Sequence, residues 1–358
     1  MDKSNAPQSI LDKQICRNHI YNIVAAVQST DRRLDFIGAA GAADPQTGTA
    51  MTPNTPYFIA SITKMYTAAI IMQLYQEQRF QLETPASEYL PPSLIERIHV
   101  YKGTDYSARI TIQQLLNQTS GLADHEADKS PDGTCLMENL KAGHDRYIST
   151  EEAMDMVREL SPHFPPGTPG KAYYSNANYR LLGMLIEAVT SKSMGENYQD
   201  RICEPLGLQH TYLFDWTNPR PGLKPAAIYL KDNPVCVPKY LSSNLSDGGL
   251  VSTATECMQF LRAFFEGRLF DRSLLETMQH WNRIFFPLQY GSGLMYFKLP
   301  RFMSPLQAAS DLVGHSGSTG SFAFFSPSLS VYLAGTINQI NAPSTPFTLM
   351  MKLLRAAG

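Results

Sequence analysis

The chain has 358 residues, 43% of them hydrophobic, and a formal net charge of −2. This length and composition fit one large or two intimately packed globular units and exclude a disordered chain. The near-neutral balance gives nucleic acid or an anionic membrane surface no electrostatic grip, and no apolar run reaches the roughly 20 residues that span a bilayer.

The N-terminal stretch MDKSNAPQSILDKQ is polar and lacks the apolar core of a signal peptide, so a cytoplasmic location is expected; a secreted protein trimmed of its leader would read the same. Helical periodicity over residues 12–28 (Ile15, Ile20, Ile23, Val24, Val27) predicts a first helix. LDFIGAAGAADPQTG reads as strand, turn, strand. Gly38 and Gly41 do not make a nucleotide loop, because no helix follows to cradle a phosphate. A helix is expected from Ser61 to about Arg79. Helices then follow in TIQQLLNQTSGL, STEEAMDMVREL and NYRLLGMLIEAVTSKS, joined by long polar connections such as the lid-length stretch 124–149. Beyond about residue 245 helices (TATECMQFLRAFFEG, SLLETMQHW) alternate with strands (YGSGLMYFKL, GSFAFFSP, SVYLAGTIN), and TPFTLMMKLLRAAG closes the chain as a helix.

Strands and terminal helices at both ends, with helices between, predict an α/β (α+β) chain. One α/β unit would come from about 1–80 and 240–358, with a helical unit inserted over about 81–239. Five cysteines (Cys16, Cys135, Cys203, Cys236, Cys257) at long spacings, with no CxxC pair, predict free thiols rather than disulfides or a zinc site. No metal and no cofactor is expected.

One charge interrupts the apolar stretch YFIASITKMYTAAIIMQLYQ: Lys64, three residues after Ser61. Positions i and i+3 share a helix face, so the amine can reach the hydroxyl. A helix N-terminus favours developing negative charge on the serine. Desolvation by an apolar wall can bring a lysine toward the form that accepts a proton. A capping serine beside a snorkelling lysine is the plain alternative. Tyr174-Ser175-Asn176, in AYYSNANY, follows a Pro/Gly turn and places a phenol and an amide on one side of an extended segment. His315-Ser316-Gly317-Ser318 precedes an aromatic strand, where glycine allows close backbone approach and edge N–H groups suit an oxyanion. Taken singly, these are a core tyrosine with a turn asparagine and a glycine-rich hairpin.

Together and in this order, the three elements resemble the serine β-lactamase and penicillin-binding-protein superfamily. The likeness is to its class C-like branch, which also holds D-alanyl-D-alanine carboxypeptidases and related carboxylesterases. FPPGTPGKAYYSNANYRLLGMLIEAVT, GGLVSTATECMQF and GHSGSTGSFAFFSPSLSVYLAGTIN extend the likeness from about residue 15 to the end. The resemblance implies a β-lactamase/transpeptidase-like fold, an antiparallel sheet flanked by terminal helices with an inserted helical domain. It implies that Ser61 is acylated, that Lys64 and Tyr174 relay its proton, and that Asn176 orients substrate or Lys64. Ser61 and Ser318 N–H groups would form the oxyanion hole, and His315 would line the pocket opposite Ser61.

β-Lactamases of this branch usually carry lysine at the position of His315. A mostly neutral imidazole binds a carboxylate weakly, which points toward peptidases and esterases. The expected function is a serine hydrolase of small esters or amides, esterase-like in preference. A biosynthetic acyltransferase, a D-amino-acid peptidase and a class C-like β-lactamase stand as alternatives. The expected partner is a small acyl substrate, an ester, amide or lactam. RIFFPLQYGSGLMYF and LPRFMSPL, rich in aromatics and methionine, are either core or acyl-pocket lining, with core the better reading. Loops 124–149 and 284–305 are expected to set specificity.

Overall fold

The computed structural model describes residues 6–15, 17–298 and 311–357. Helix α1 spans Ala6–Asp12, strand β1 Asn22–Ser29 and β2 Asp35–Gly41. Six strands come from the C-terminal third: β3 Asn282–Phe285, β4 Leu288–Tyr290, β5 Met295–Lys298, β6 Asp311–Ser316, β7 Ser321–Ser326 and β8 Val331–Thr336. They form one antiparallel sheet in the order β3-β4-β5-β6-β7-β8-β1-β2, so N-terminal β1 is inserted beside β8. Helices α1, α4 (Ala254–Glu266) and α5 (Thr345–Ala357) pack on the sheet.

The helix expected over residues 12–28 is not there: α1 ends at Asp12 and the apolar run that follows is β1. The run NIVAAV is buried at every position because β1 has a partner strand on each edge and side chains packed on both faces. A doubly covered strand carries apolar residues without alternation, and such a run mimics helical spacing. Segment LPRFMSPL lies outside the described residues.

Between the two sheet-forming ends lie helices that include Ile112–Leu116, Thr150–Glu159 and α3 (Asn176–Thr190), and the chain then returns through α4. Thr150–Glu159 begins as its sequence predicts, with the Ser149 hydroxyl accepting from Glu152 N–H at 3.1 Å. Helix α2, Thr63–Gln76, runs through the centre. From Thr63 to Met72 every residue is buried, Lys64 included, so the helix has no polar face and is held by packing all round. A short strand, Tyr57–Phe58, pairs with Leu250–Ser252 and leads directly into α2. Among the described residues no helix is long and apolar enough to cross a membrane. Cys135, Cys203 and Cys257 are buried free thiols, and Cys236 is an exposed one.

Candidate active site

Ser61 lies in a single tight turn, Ala60–Ile62, between the Tyr57–Phe58 strand and α2, not in α2 itself. Ala60 has φ +48°, a left-handed conformation that costs a non-glycine residue roughly 1–2 kcal/mol. The β6–β7 turn holds this bend from the other side. A Cβ on Gly317 would lie 2.6 Å from Ile59 O and 2.9 Å from the Ala60 Cβ, so only glycine allows the approach. Thr319 and Ser321 hydroxyls donate to Phe58 O and Ile59 O.

Lys64 Nζ is fully buried, 3.1 Å from Ser61 Oγ, 2.7 Å from Asn176 Oδ1 and 2.6 Å from Asp247 O. The Asn176 orientation follows from its amide nitrogen, which donates to Glu126 Oε2 at 3.0 Å. Two of the three partners of Nζ are therefore carbonyl oxygens that can only accept. They occupy two N–H bonds and leave one direction of the amine aimed at Ser61. Tyr174 packs beside Lys64, whose Nζ is 5.3 Å from the ring centre. Burial raises the Tyr174 phenol above its usual range, against the pull of the Lys64 charge, so it is held as a neutral O–H.

Helix α3 is positioned by Gln118, from which the sequence implies nothing about activity, and by Asp124. Gln118, itself at φ +64°, accepts from Ser175 N–H at 2.9 Å and from the Asn178 amide. The Asp124 carboxylate accepts from Asn176 N–H at 3.2 Å, at the helix N-terminus. These bonds fix the Tyr174–Asn176 step relative to Lys64.

Ser61, Asn176 and Ser318 line one cavity of about 80 Å³, together with Glu126, Asp247 and the apolar side chains Val237 and Leu241. Its acidic wall is the unexpected feature. Burial, with repulsion from Asp128, raises Asp124 to about 6, and burial, with repulsion from Asp124 and Asp247, raises Glu126 to about 8. Asp247 meets buried Arg180 at 3.4 Å through Oδ2, while its Oδ1 makes no hydrogen bond. His125 lies behind, with neither ring nitrogen hydrogen-bonded. Burial, then the charges of Arg180 and Lys64, lower its pKa well below the usual value, so it is a neutral imidazole. The sequence hint was the acidic run ADHEAD inside the lid-length stretch, which carries no catalytic spacing of its own.

His315 does not line this cavity. It is fully buried, with Nδ1 2.7 Å from Ser316 O and Nε2 3.1 Å from the Tyr290 hydroxyl. Burial and Lys64 lower it to about 3. It packs behind Tyr174, at 6.2 Å between ring centres, so a direct hold on a substrate carboxylate is replaced by support of the tyrosine pair Tyr174 and Tyr290. Of the FFP aromatics, Phe285 and Phe286 are exposed on the β3–β4 hairpin, away from the cavity lining.

A family model described as Beta-lactamase matches residues 14–347. The teichoic acid D-alanine hydrolase of Staphylococcus aureus is 26% identical over 271 residues, which cover 75% of this chain and 60% of that protein. The chain thus spans about 60% of the length of the curated relative it matches. A D-stereospecific amidohydrolase from a Streptomyces species superposes with a TM-score of 0.75 at 26% identity, with 95% of each chain covered. A D-amino acid amidase from Ochrobactrum anthropi SV3, complexed with D-phenylalanine, superposes with a TM-score of 0.80 at 23% identity and 99% of each chain covered, a likeness of fold.

Proposed function

This chain belongs to the beta-lactamase family, and is a serine hydrolase of that superfamily; on that premise we propose that it hydrolyses esters or amides of D-amino acids bearing a free α-ammonium group. The observation that carries this reading is the acidic wall beside Ser61. Glu126 and Asp247 share the cavity with Ser61, and Asp247 Oδ1 has no partner of its own. An R–NH₃⁺ group offers three donors and a charge, which compensates carboxylates that are costly to bury unpaired. A plain ester or a carboxylate-bearing lactam offers nothing to this wall. The D configuration is supported by the relatives, a teichoic acid D-alanine hydrolase and a D-stereospecific amidohydrolase.

In the proposed reaction Lys64 takes the Ser61 proton through the direction its two carbonyl partners leave free. Ser61 Oγ attacks the acyl carbon. Backbone N–H groups of Ser61 and Ser318 receive the oxyanion. The neutral Tyr174 O–H donates to the departing alcohol or amine and recovers a proton from Lys64. Water repeats the sequence on the acyl-Ser61 ester. His315 and Gly317 act in this scheme as support for Tyr174 and the Ser61 turn.

The test is a matched set of nitrophenyl esters: D-alanyl, L-alanyl, and propionyl, which lacks the amine. Preference for D-alanyl over both others, lost in Ser61→Ala, supports the reading. Equal turnover of D-alanyl and propionyl esters sinks the ammonium assignment; equal turnover of D- and L-alanyl sinks the stereochemical one.

A further inference from the structure

Two neighbouring side chains, His125 and Glu126, converge with the distant Asp247 at the acidic wall. His125, Glu126 and Asp247 are 1%, 6% and 2% exposed, and one ligand-type atom from each lies within 4.8 Å of the others. Both His125 ring nitrogens and Asp247 Oδ1 are without hydrogen bonds. Leaving a buried polar group without a partner costs about 1–3 kcal/mol, so this concentration of unpartnered polar atoms in one place calls for a ligand.

We propose that His125, Glu126 and Asp247 form a binding site for a borderline divalent cation of the Zn²⁺ class, and that its occupancy competes with the substrate's ammonium group. The binding stands on this cluster alone; the competition rests on the ammonium reading above.

The geometry suits a small cation. Zn–N and Zn–O bonds of about 2.1 Å place neighbouring tetrahedral ligands roughly 3.4 Å apart. His125 Nε2 is 3.8 Å from Glu126 Oε1, so a small side-chain rotation closes the pair. His125 Nδ1 lies 3.8 Å from Asp124 Oδ1, so a small ring movement would form the carboxylate–imidazole hydrogen bond that orients a ligating histidine. Asp247 presents Oδ1 while Oδ2 stays with Arg180. The facing groups are three carboxyls, Asp124, Glu126 and Asp247, and two basic side chains, Lys64 and Arg180. An imidazole in the set disfavours Mg²⁺ and Ca²⁺, which take oxygen ligands, and favours Zn²⁺ or Co²⁺. Glu126 and Asp247 line the catalytic cavity, so the open coordination position faces the space an ammonium group would fill.

The experiment uses the full chain and Co²⁺ as a spectroscopic stand-in for Zn²⁺. Visible d–d bands that saturate at one Co²⁺ per chain and are erased by Zn²⁺, but not by Mg²⁺, are expected. His125→Asn and Glu126→Gln should each weaken binding at least tenfold, the scale on which even a supporting group matters. No bands at millimolar Co²⁺ in the wild type overturns the site without reference to any variant's folding. So does binding that survives both substitutions, since His19, His163 and His210 then account for it. With D-alanyl ester, Zn²⁺ should raise KM and leave kcat unchanged; inhibition that lowers kcat alone overturns the competition. Failure of the ammonium reading shows separately, as metal-free enzyme that does not distinguish D-alanyl from propionyl ester.

Discussion

Lys64 Nζ sits 3.1 Å from Ser61 Oγ with its two other close partners, Asn176 Oδ1 and Asp247 O, both obligate acceptors. The amine is therefore aimed, not merely near. Lys64→Arg keeps a cation but cannot serve as a neutral base, and Lys64→Met keeps the volume without the nitrogen. Both should lose acylation by about 10²-fold or more, measured as the loss of a covalent Ser61 adduct by intact mass within the wild-type reaction time. An adduct forming at the wild-type rate in either variant would remove Lys64 from the proton path.

Tyr174, held neutral, is proposed to protonate the leaving group. Tyr174→Phe should then discriminate by leaving group. Anilide or alkyl amide turnover should fall by about 10²–10⁴, while a nitrophenyl ester, whose leaving group departs unprotonated, should fall far less. Equal losses on both substrates would assign Tyr174 to serine activation instead.

Glu126→Gln keeps the shape of the cavity wall and removes the carboxyl that a neighbouring ammonium group draws into its charged form. A charge-assisted hydrogen bond contributes about 1.5–3 kcal/mol, so KM for D-alanyl ester should rise roughly 10- to 100-fold, with propionyl ester little changed. Parallel Michaelis–Menten series on the two esters check this.

The same pair fixes a pH signature. Asp124 and Glu126 are raised to about 6 and about 8, so the acidic wall gains charge as pH climbs through that window. Affinity for an ammonium substrate should rise from pH 5 toward 7. It should fall again as the substrate's own amine, near 8, loses its proton; propionyl ester should show neither limb. Stability moves the other way. Carboxyls raised on folding stabilise below their unfolded values near 4, and that contribution is lost as pH rises through 6 to 8. Urea midpoints for wild type should therefore drop between pH 5 and 9, and Glu126→Gln should flatten the drop.

His315→Lys, which restores the residue usual in the β-lactamases of this branch, should not create a carboxylate site here. It would bury a second ammonium near Lys64 and abandon Tyr290. An uncompensated buried charge costs about 3–5 kcal/mol, visible as a lowered urea midpoint. Unchanged stability with new turnover of carboxylate-bearing lactams would restore His315 to the substrate cavity.

What the sequence determined by itself is the chemistry that is local in the chain. Ser61 and Lys64 stand three residues apart, and the short turn that runs into α2 brings them together. Tyr174 with Asn176, and the His315–Ser318 segment, are short runs whose order marked the superfamily and hence the fold. Tertiary structure decided the rest, because its determinants are contacts between residues far apart. Asn22–Ser29 is a strand because β8 and β2 flank it and both faces are covered, which hydrophobic spacing along one segment does not reveal. His315 faces inward because Tyr290, on another strand, captures its Nε2. The acidic wall exists because the loop carrying Asp124 to Glu126 folds against Asp247, more than a hundred residues away, with α3 between them. Burial changes what those carboxyls are: on an open surface they would be solvated charges, and beside Ser61 their pKa values are raised.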